Sequence, residues 1–226
     1  NGNMNLYAVV FNRSTEKDLT EAELPQVDIY KYKQVIFVGD SRTEFMENVL
    51  KGMGESAIKN VKFVCSAGKG LDWFTTTGWS QLYAMVQKDT NSILSKKTAV
   101  IFNFGVNDLS DYADYVEYYN WIAPQLKGKG CELYFMSVNP LNRTMLSNTG
   151  RADRSEAAVR SFNDYMKANL SSAYTYIDMY SYLKSTGYSF ASDHYGAGTI
   201  DDGLHYTAKT YKRIYAKCIN SLRVPR

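Results

Sequence analysis

Val35-Ile36-Phe37-Val38-Gly39-Asp40-Ser41-Arg42 is the stretch that decides how the chain is read. A short apolar run rich in β-branched residues stops at Gly39 and Asp40, and Ser41 comes next. Residues 43–50, Thr-Glu-Phe-Met-Glu-Asn-Val-Leu, then set apolar side chains at helical spacing. That order predicts a buried strand, a sharp turn and a helix. Ser41 falls at the carboxyl end of the strand and the start of the helix, where open α/β sheets bind their ligands. Backbone N–H groups and the helix dipole favour developing negative charge there, so Ser41 is a candidate nucleophile.

Working outward, further strands are expected at residues 61–65, 98–104, 133–138 and 174–178. Helices are expected at 81–87, at 112–126 with Pro124 interrupting the end, at 155–170 capped by Ser155, and at 207–222 capped by Thr207. One or two helical turns fit residues 180–184. Polar loops are expected from 139 to about 154 and from 187 to 204. Five strands alternating with helices indicate an α/β protein with a parallel sheet covered on both faces. The expected architecture is a three-layer α/β/α sandwich with a five-stranded sheet in the flavodoxin-like order 2-1-3-4-5.

The 226 residues carry a net charge of +3, with Lys and Arg scattered along the chain, which gives no footprint for nucleic acid. The 19 tyrosines suit either a wet, polar binding surface or half-buried packing. Three cysteines without a Cys-x-x-Cys argue against zinc and against a disulfide framework, and Cys65 and Cys131 read as small buried hydrophobes. No metal or cofactor is expected, and a monomer is. No apolar run approaches the roughly 18 residues that span a bilayer. The chain begins at Asn1-Gly2 without an initiator Met and reads as a piece of a longer protein. Residues 1–33 are expected to form an N-terminal strand and linker, and residues 34–226 the main domain.

The ends of the first three strands deliver Ser41, Gly68, Gly105 and Asn107 to one rim, and the loop before the last helix delivers Asp202-Gly203-Leu204-His205. Acyl transfer by serine needs a base, a group that orients the base, and donors for the oxyanion. Asp202, on the far side of a glycine from His205, can fold back onto one ring nitrogen while the other faces Ser41. His194 beside Asp193 is a competing pair whose adjacent side chains diverge. The α/β-hydrolase elbow wants Gly two residues before and after the serine, and Thr43 at the second position fails it.

Gly39-Asp40-Ser41-Arg42, Gly68, Gly105-Val106-Asn107-Asp108 and Asp202-Gly203-Leu204-His205 together resemble the four blocks of the SGNH (GDSL-type) hydrolases, with Arg42 where Leu is commonest. The resemblance covers residues 34–222. It implies Ser41 as nucleophile, His205 as base and Asp202 as its orienter. It also implies an oxyanion hole from the N–H groups of Ser41 and Gly68 and the side-chain amide of Asn107. Arg42, Trp79 and Tyr195 are candidates for contacting substrate. Residues 3–10 are similar to the last strand of an internalin-type surface repeat, though they equally fit a strand packed on the main domain.

These features lead to an expected serine esterase that removes acetyl or another short acyl group, from a small ester or an acylated glycan. The alternatives are an O-acetyltransferase acting on a cell-wall or surface glycan and a non-catalytic glycan-binding module. The surface-repeat resemblance implies an extracellular or cell-surface location within a longer bacterial protein.

Overall fold

The computed structural model describes residues 19–87, 97–148, 154–193 and 200–223. After short 3-10 turns at Glu21–Glu23 and Ile29–Lys31, the order is β1 (Gln34–Gly39), α1 (Ser41–Gly52), α2 (Glu55–Ile58), β2 (Val61–Cys65) and α3 (Leu71–Trp73). A π turn, Phe74–Gly78, joins α3 to α4 (Trp79–Gln87). Then come β3 (Thr98–Asn103), α5 (Tyr112–Gly128), β4 (Cys131–Met136), α6 (Arg143–Asn148), α7 (Glu156–Asn169) and β5 (Tyr174–Ile177). The chain closes with α8 (Met179–Thr186), β6 (Phe190–Asp193), β7 (Ile200–Tyr206) and α9 (Ala208–Asn220).

The main sheet is parallel throughout, with strand order 2-1-3-4-5. Alternation along each strand divides the core between its two faces. Ile36, Val38, Val100, Phe102, Leu133 and Phe135 pack against α4, α5 and α7. Val35, Phe37, Ala99, Ile101, Tyr134 and Met136 pack against α1, α8 and α9. Residues 35–38 are fully buried, each worth roughly 1.5–3 kcal/mol in burial. The sandwich expected from the sequence is therefore the fold observed, and it turns the carboxyl ends of β1, β2 and β3 to one rim.

Local differences have physical causes. Pro124 lies inside α5 and does not end it, because Tyr115, Tyr119, Ile122, Ala123 and Leu126 form a buried face that carries the helix through the lost hydrogen bond. The expected loop at 187–204 contains β6 and β7, an antiparallel ribbon outside the main sheet in which Phe190 pairs with Tyr206. The expected loop after β4 contains α6. Residues 19–33 are fastened to the domain: Arg213 Nε donates to Glu23 Oε1 at 3.0 Å, and Asn60 Nδ2 donates to Ile29 and Tyr32 carbonyls at 2.8 and 3.0 Å. The strand expected over residues 4–10 lies outside the described residues. Cys131 and Cys218 are buried, Cys65 is half-buried, and all three are free thiols. No described helix is long and apolar enough to cross a membrane.

Candidate active site

Gly39 ends β1 with no room for a side chain: a Cβ there would lie 2.0 Å from Thr43 Oγ1 and 2.7 Å from the Asn103 carbonyl. This close approach lets α1 start directly over the sheet. Asp40 caps the helix by accepting from the Arg42 N–H at 2.9 Å. Burial pushes the Asp40 carboxyl up to about 6, against the opposing pull of the Arg42 N–H and the Arg42 charge. Ser41 is the first helical residue, so its N–H is left over by the helix itself.

β7 brings the partner groups. Asp202 Oδ1 accepts from the N–H groups of Leu204 and His205, both at 2.7 Å, and this tight turn passes through Gly203 at φ +69°. Asp202 Oδ2 lies 2.5 Å from His205 Nδ1, and His205 Nε2 lies 2.8 Å from Ser41 Oγ. The His205 ring stacks on Phe45 of α1 with centroids 4.4 Å apart. Burial raises the Asp202 carboxyl, but the His205 ring and the two backbone N–H groups outweigh it and hold the group below the usual carboxylate range. Ser41, Asp202 and His205 are all buried.

Gly68 turns the loop after β2 at φ +70°. Among the described residues, none accepts a hydrogen bond from the N–H of Ser41 or Gly68. Asn107 Nδ2 donates to the Lys69 carbonyl at 2.8 Å, and its Oδ1 accepts from Arg154 Nη2 at 3.1 Å. Asp108 ties the same loop from below, accepting from Leu71 N–H at 2.7 Å and from the Tyr115 hydroxyl. Gly70 leaves space for that carboxylate, since a Cβ would lie 2.0 Å from Asp108 Oδ2. A cleft of about 610 Å³ opens beside this loop, walled by Gly68, Lys69, Trp73, Thr76, Asn107 and Asp111 among others.

The structure thus brings together Ser41, Asp202 and His205, and sets Gly68 and Asn107 on the cleft. It does not do so for two of the expected substrate contacts. Arg42 is buried, its guanidinium held by three backbone carbonyls, so it cannot meet a substrate. Trp79 is half-buried against Tyr83, Trp121 and the core, and Trp73 takes the place in the cleft wall. The π turn between them changes the phase of the helix, which a regular helical reading of the sequence misses. Tyr195 and the competing His194 lie outside the described residues. Phe45, Arg154 and the ring of Trp73 went unread, because their partners are distant in sequence.

A serine at a strand-to-helix junction, hydrogen-bonded to a histidine that an aspartate holds, on a doubly covered parallel sheet, defines a class of serine hydrolase. The family model of the GDSL-like lipase/acylhydrolases matches residues 35–218, and the chain belongs to that family, the SGNH type. No protein of curated function matches it by sequence. Solved structures share the fold at low identity. A protein from Slackia heliotrinireducens proposed to be an SGNH hydrolase aligns with a TM-score of 0.55 and 13% identity, over 84% of this chain and 97% of that one. The acetyl xylan esterase AlAXEase aligns with a TM-score of 0.58 and 12% identity, over 84% of this chain and all of that one (100%). TesA gives 0.53 and 13%, over 84% and 98%.

Proposed function

We propose that the chain is a serine esterase that releases acetyl or another short acyl group from a carbohydrate. The observation that carries this reading is the continuous line from Asp202 through His205 to Ser41 Oγ. Ser41 Oγ attacks the ester carbonyl while His205 Nε2 takes its proton. Asp202 holds the Nδ1–H and keeps the ring aligned. The tetrahedral oxyanion rests on the N–H groups of Ser41 and Gly68 and on the second amide proton of Asn107, the first being on Lys69. Each such donor is worth roughly 3 kcal/mol in the transition state. His205 returns its proton to the leaving alkoxide, and the acyl group stays on Ser41. Water, deprotonated by His205, then releases the acid and restores the serine.

The carbohydrate assignment draws on the cleft wall. A hydroxyl-rich ring finds one indole face in Trp73 and polar partners in Thr76, Asp72 and Asp111. A long acyl chain would need apolar walls, and among the described residues that line the cleft Trp73 is the one large apolar side chain. The test is hydrolysis of chromogenic acetyl and longer-chain esters, followed by a screen of acetylated xylan, mannan, chitooligosaccharides and peptidoglycan fragments. Acetyl esters should be cleaved fastest, and Ser41→Ala should lower kcat by about 10⁴-fold or more. Full activity in Ser41→Ala would remove this reading. Transfer of acetyl to an added glycan, without free acetate, would replace hydrolysis by transfer.

A further inference from the structure

The structure assigns Arg42 a positioning role: it ties the residues on both sides of His205, the Leu204 carbonyl and the Tyr206 ring, to the helix that carries Ser41. This rests on the reading of Ser41 and His205 as nucleophile and base. Arg42 Nε donates to the Leu204 carbonyl at 3.0 Å, immediately before His205. Nη1 donates to the Asn139 carbonyl and Nη2 to the Pro140 carbonyl, each at 2.9 Å. The guanidinium carbon lies 5.1 Å from the ring centroid of Tyr206, immediately after His205. The Tyr206 hydroxyl donates to the same Pro140 carbonyl.

The side chain is 2% exposed. Burying a charge is costly unless its donors are met. Here three carbonyl dipoles and an aromatic face meet it. Only a planar fork with several fixed donors addresses three acceptors on two separate chain segments at once. A lysine would carry the same charge but could not hold that geometry, and a leucine would fill space while taking the guanidinium donors away from all three carbonyls, with only that of Pro140 keeping the Tyr206 hydroxyl.

Adjacency gives the clamp its purpose. Ser41 and Arg42 are consecutive residues in the first turn of α1. The hydroxyl and the group that holds the histidine's backbone therefore belong to one rigid piece. β7 has no hydrogen-bonded place in the main sheet, so its distance from Ser41 is not fixed by that sheet. Arg42 fixes it from the serine's side. A displacement of about 1 Å at such a contact can lower a rate on the order of 100-fold.

The test compares the wild type with Arg42→Lys and Tyr206→Leu on a chromogenic acetyl ester, well below each protein's melting temperature. A proton spectrum of each records the low-field resonance of the hydrogen shared by His205 and Asp202. Arg42→Lys should lower kcat by about tenfold or more with KM changed by less than about twofold. Its low-field resonance should move or broaden while the rest of the spectrum stays folded. Tyr206→Leu removes the platform under the guanidinium and should show the same pattern at about threefold or more; it decides the matter should Arg42→Lys fail to fold. A lowered melting temperature with unchanged kcat and an unmoved resonance would overturn the clamp. Activity in Ser41→Ala would instead overturn the reading it rests on.

Discussion

Ser41 and His205 meet at 2.8 Å, but they come to that distance from differently built regions. The serine side is local. β1, the Gly39 turn, the Asp40 cap and the first residue of α1 are consecutive in the chain, and each is fixed by its neighbours. The histidine side is assembled from afar. β7 is held by Arg42 and Phe45 of α1, by the ribbon partner β6, and by the Asn142 N–H, which donates to the Gly203 carbonyl at 2.9 Å. One side is a rigid consequence of the sheet. The other depends on contacts that can fail one at a time.

The largest break in that comparison comes from Asp202. Asp202→Asn keeps the shape but can leave the His205 ring in the wrong tautomer, and kcat should fall by about 10⁴-fold with Ser41 undisturbed. Steady-state kinetics on an acetyl ester measures it, and a loss below about tenfold would mean that the ring is oriented by Phe45 and the backbone alone.

The two aspartates sharpen the contrast by titrating in opposite senses. Asp40, raised from an ordinary 3.8 to about 6, binds its proton more tightly in the folded state. Its contribution to stability is greatest below the unfolded value and is lost as pH rises through about 6, on the order of 3 kcal/mol. Asp202, held below its ordinary value, contributes stability above 3.8 that is lost as pH falls through its folded value. Asparagine can still cap the helix. Asp40→Asn should therefore gain on the wild type between pH 4 and 6 in thermal melts, by about 3 kcal/mol. A constant gap across that window would show that Asp40 is not strained by burial.

The smallest effect separates two glycines with nearly equal backbone angles. Gly68 at φ +70° has open space where a methyl would stand, whereas at Gly203, φ +69°, a Cβ would lie 2.6 Å from the Asn142 carbonyl and 2.9 Å from Met145 Cβ. Gly68→Ala should cost about 1–2 kcal/mol from the left-handed backbone alone. Gly203→Ala should add about 1–3 kcal/mol of overlap and move β7. Urea unfolding of both variants reads the difference, and equal losses would mean that α6 yields freely.

The same contrast explains what the sequence makes legible. The strand, turn and helix around Ser41 are written in local periodicity, and so are the other four strands, the layers and their order. The ribbon is not, because β6 and β7 gain their pairing from each other across a stretch rich in Ser, Asp and Gly. Asp202 and His205 were readable as residue types at a telling spacing, but not the platform under them. Arg42 misled because a charged residue early in a helix reads as solvent-facing, and the backbone carbonyls that bury it leave no trace in residue identity. Pro124 reads as a breaker because propensity is local, whereas the five buried side chains that hold α5 together act through the core.

The π turn at Phe74–Gly78 has its own consequence. It inserts one residue's worth of rotation, about 100°, between the part of the segment that walls the cleft and the part that grips the core through Leu82 and Val86. Removing a single threonine from residues 75–77 would let the coil run on evenly, like tightening a screw by a quarter turn. Trp73 would swing away from the opening, turning Leu71 and Phe74 with it, while Leu82 and Val86 stayed in register. A family that changes what it grips could do so through such a one-residue slip, leaving its reacting groups untouched.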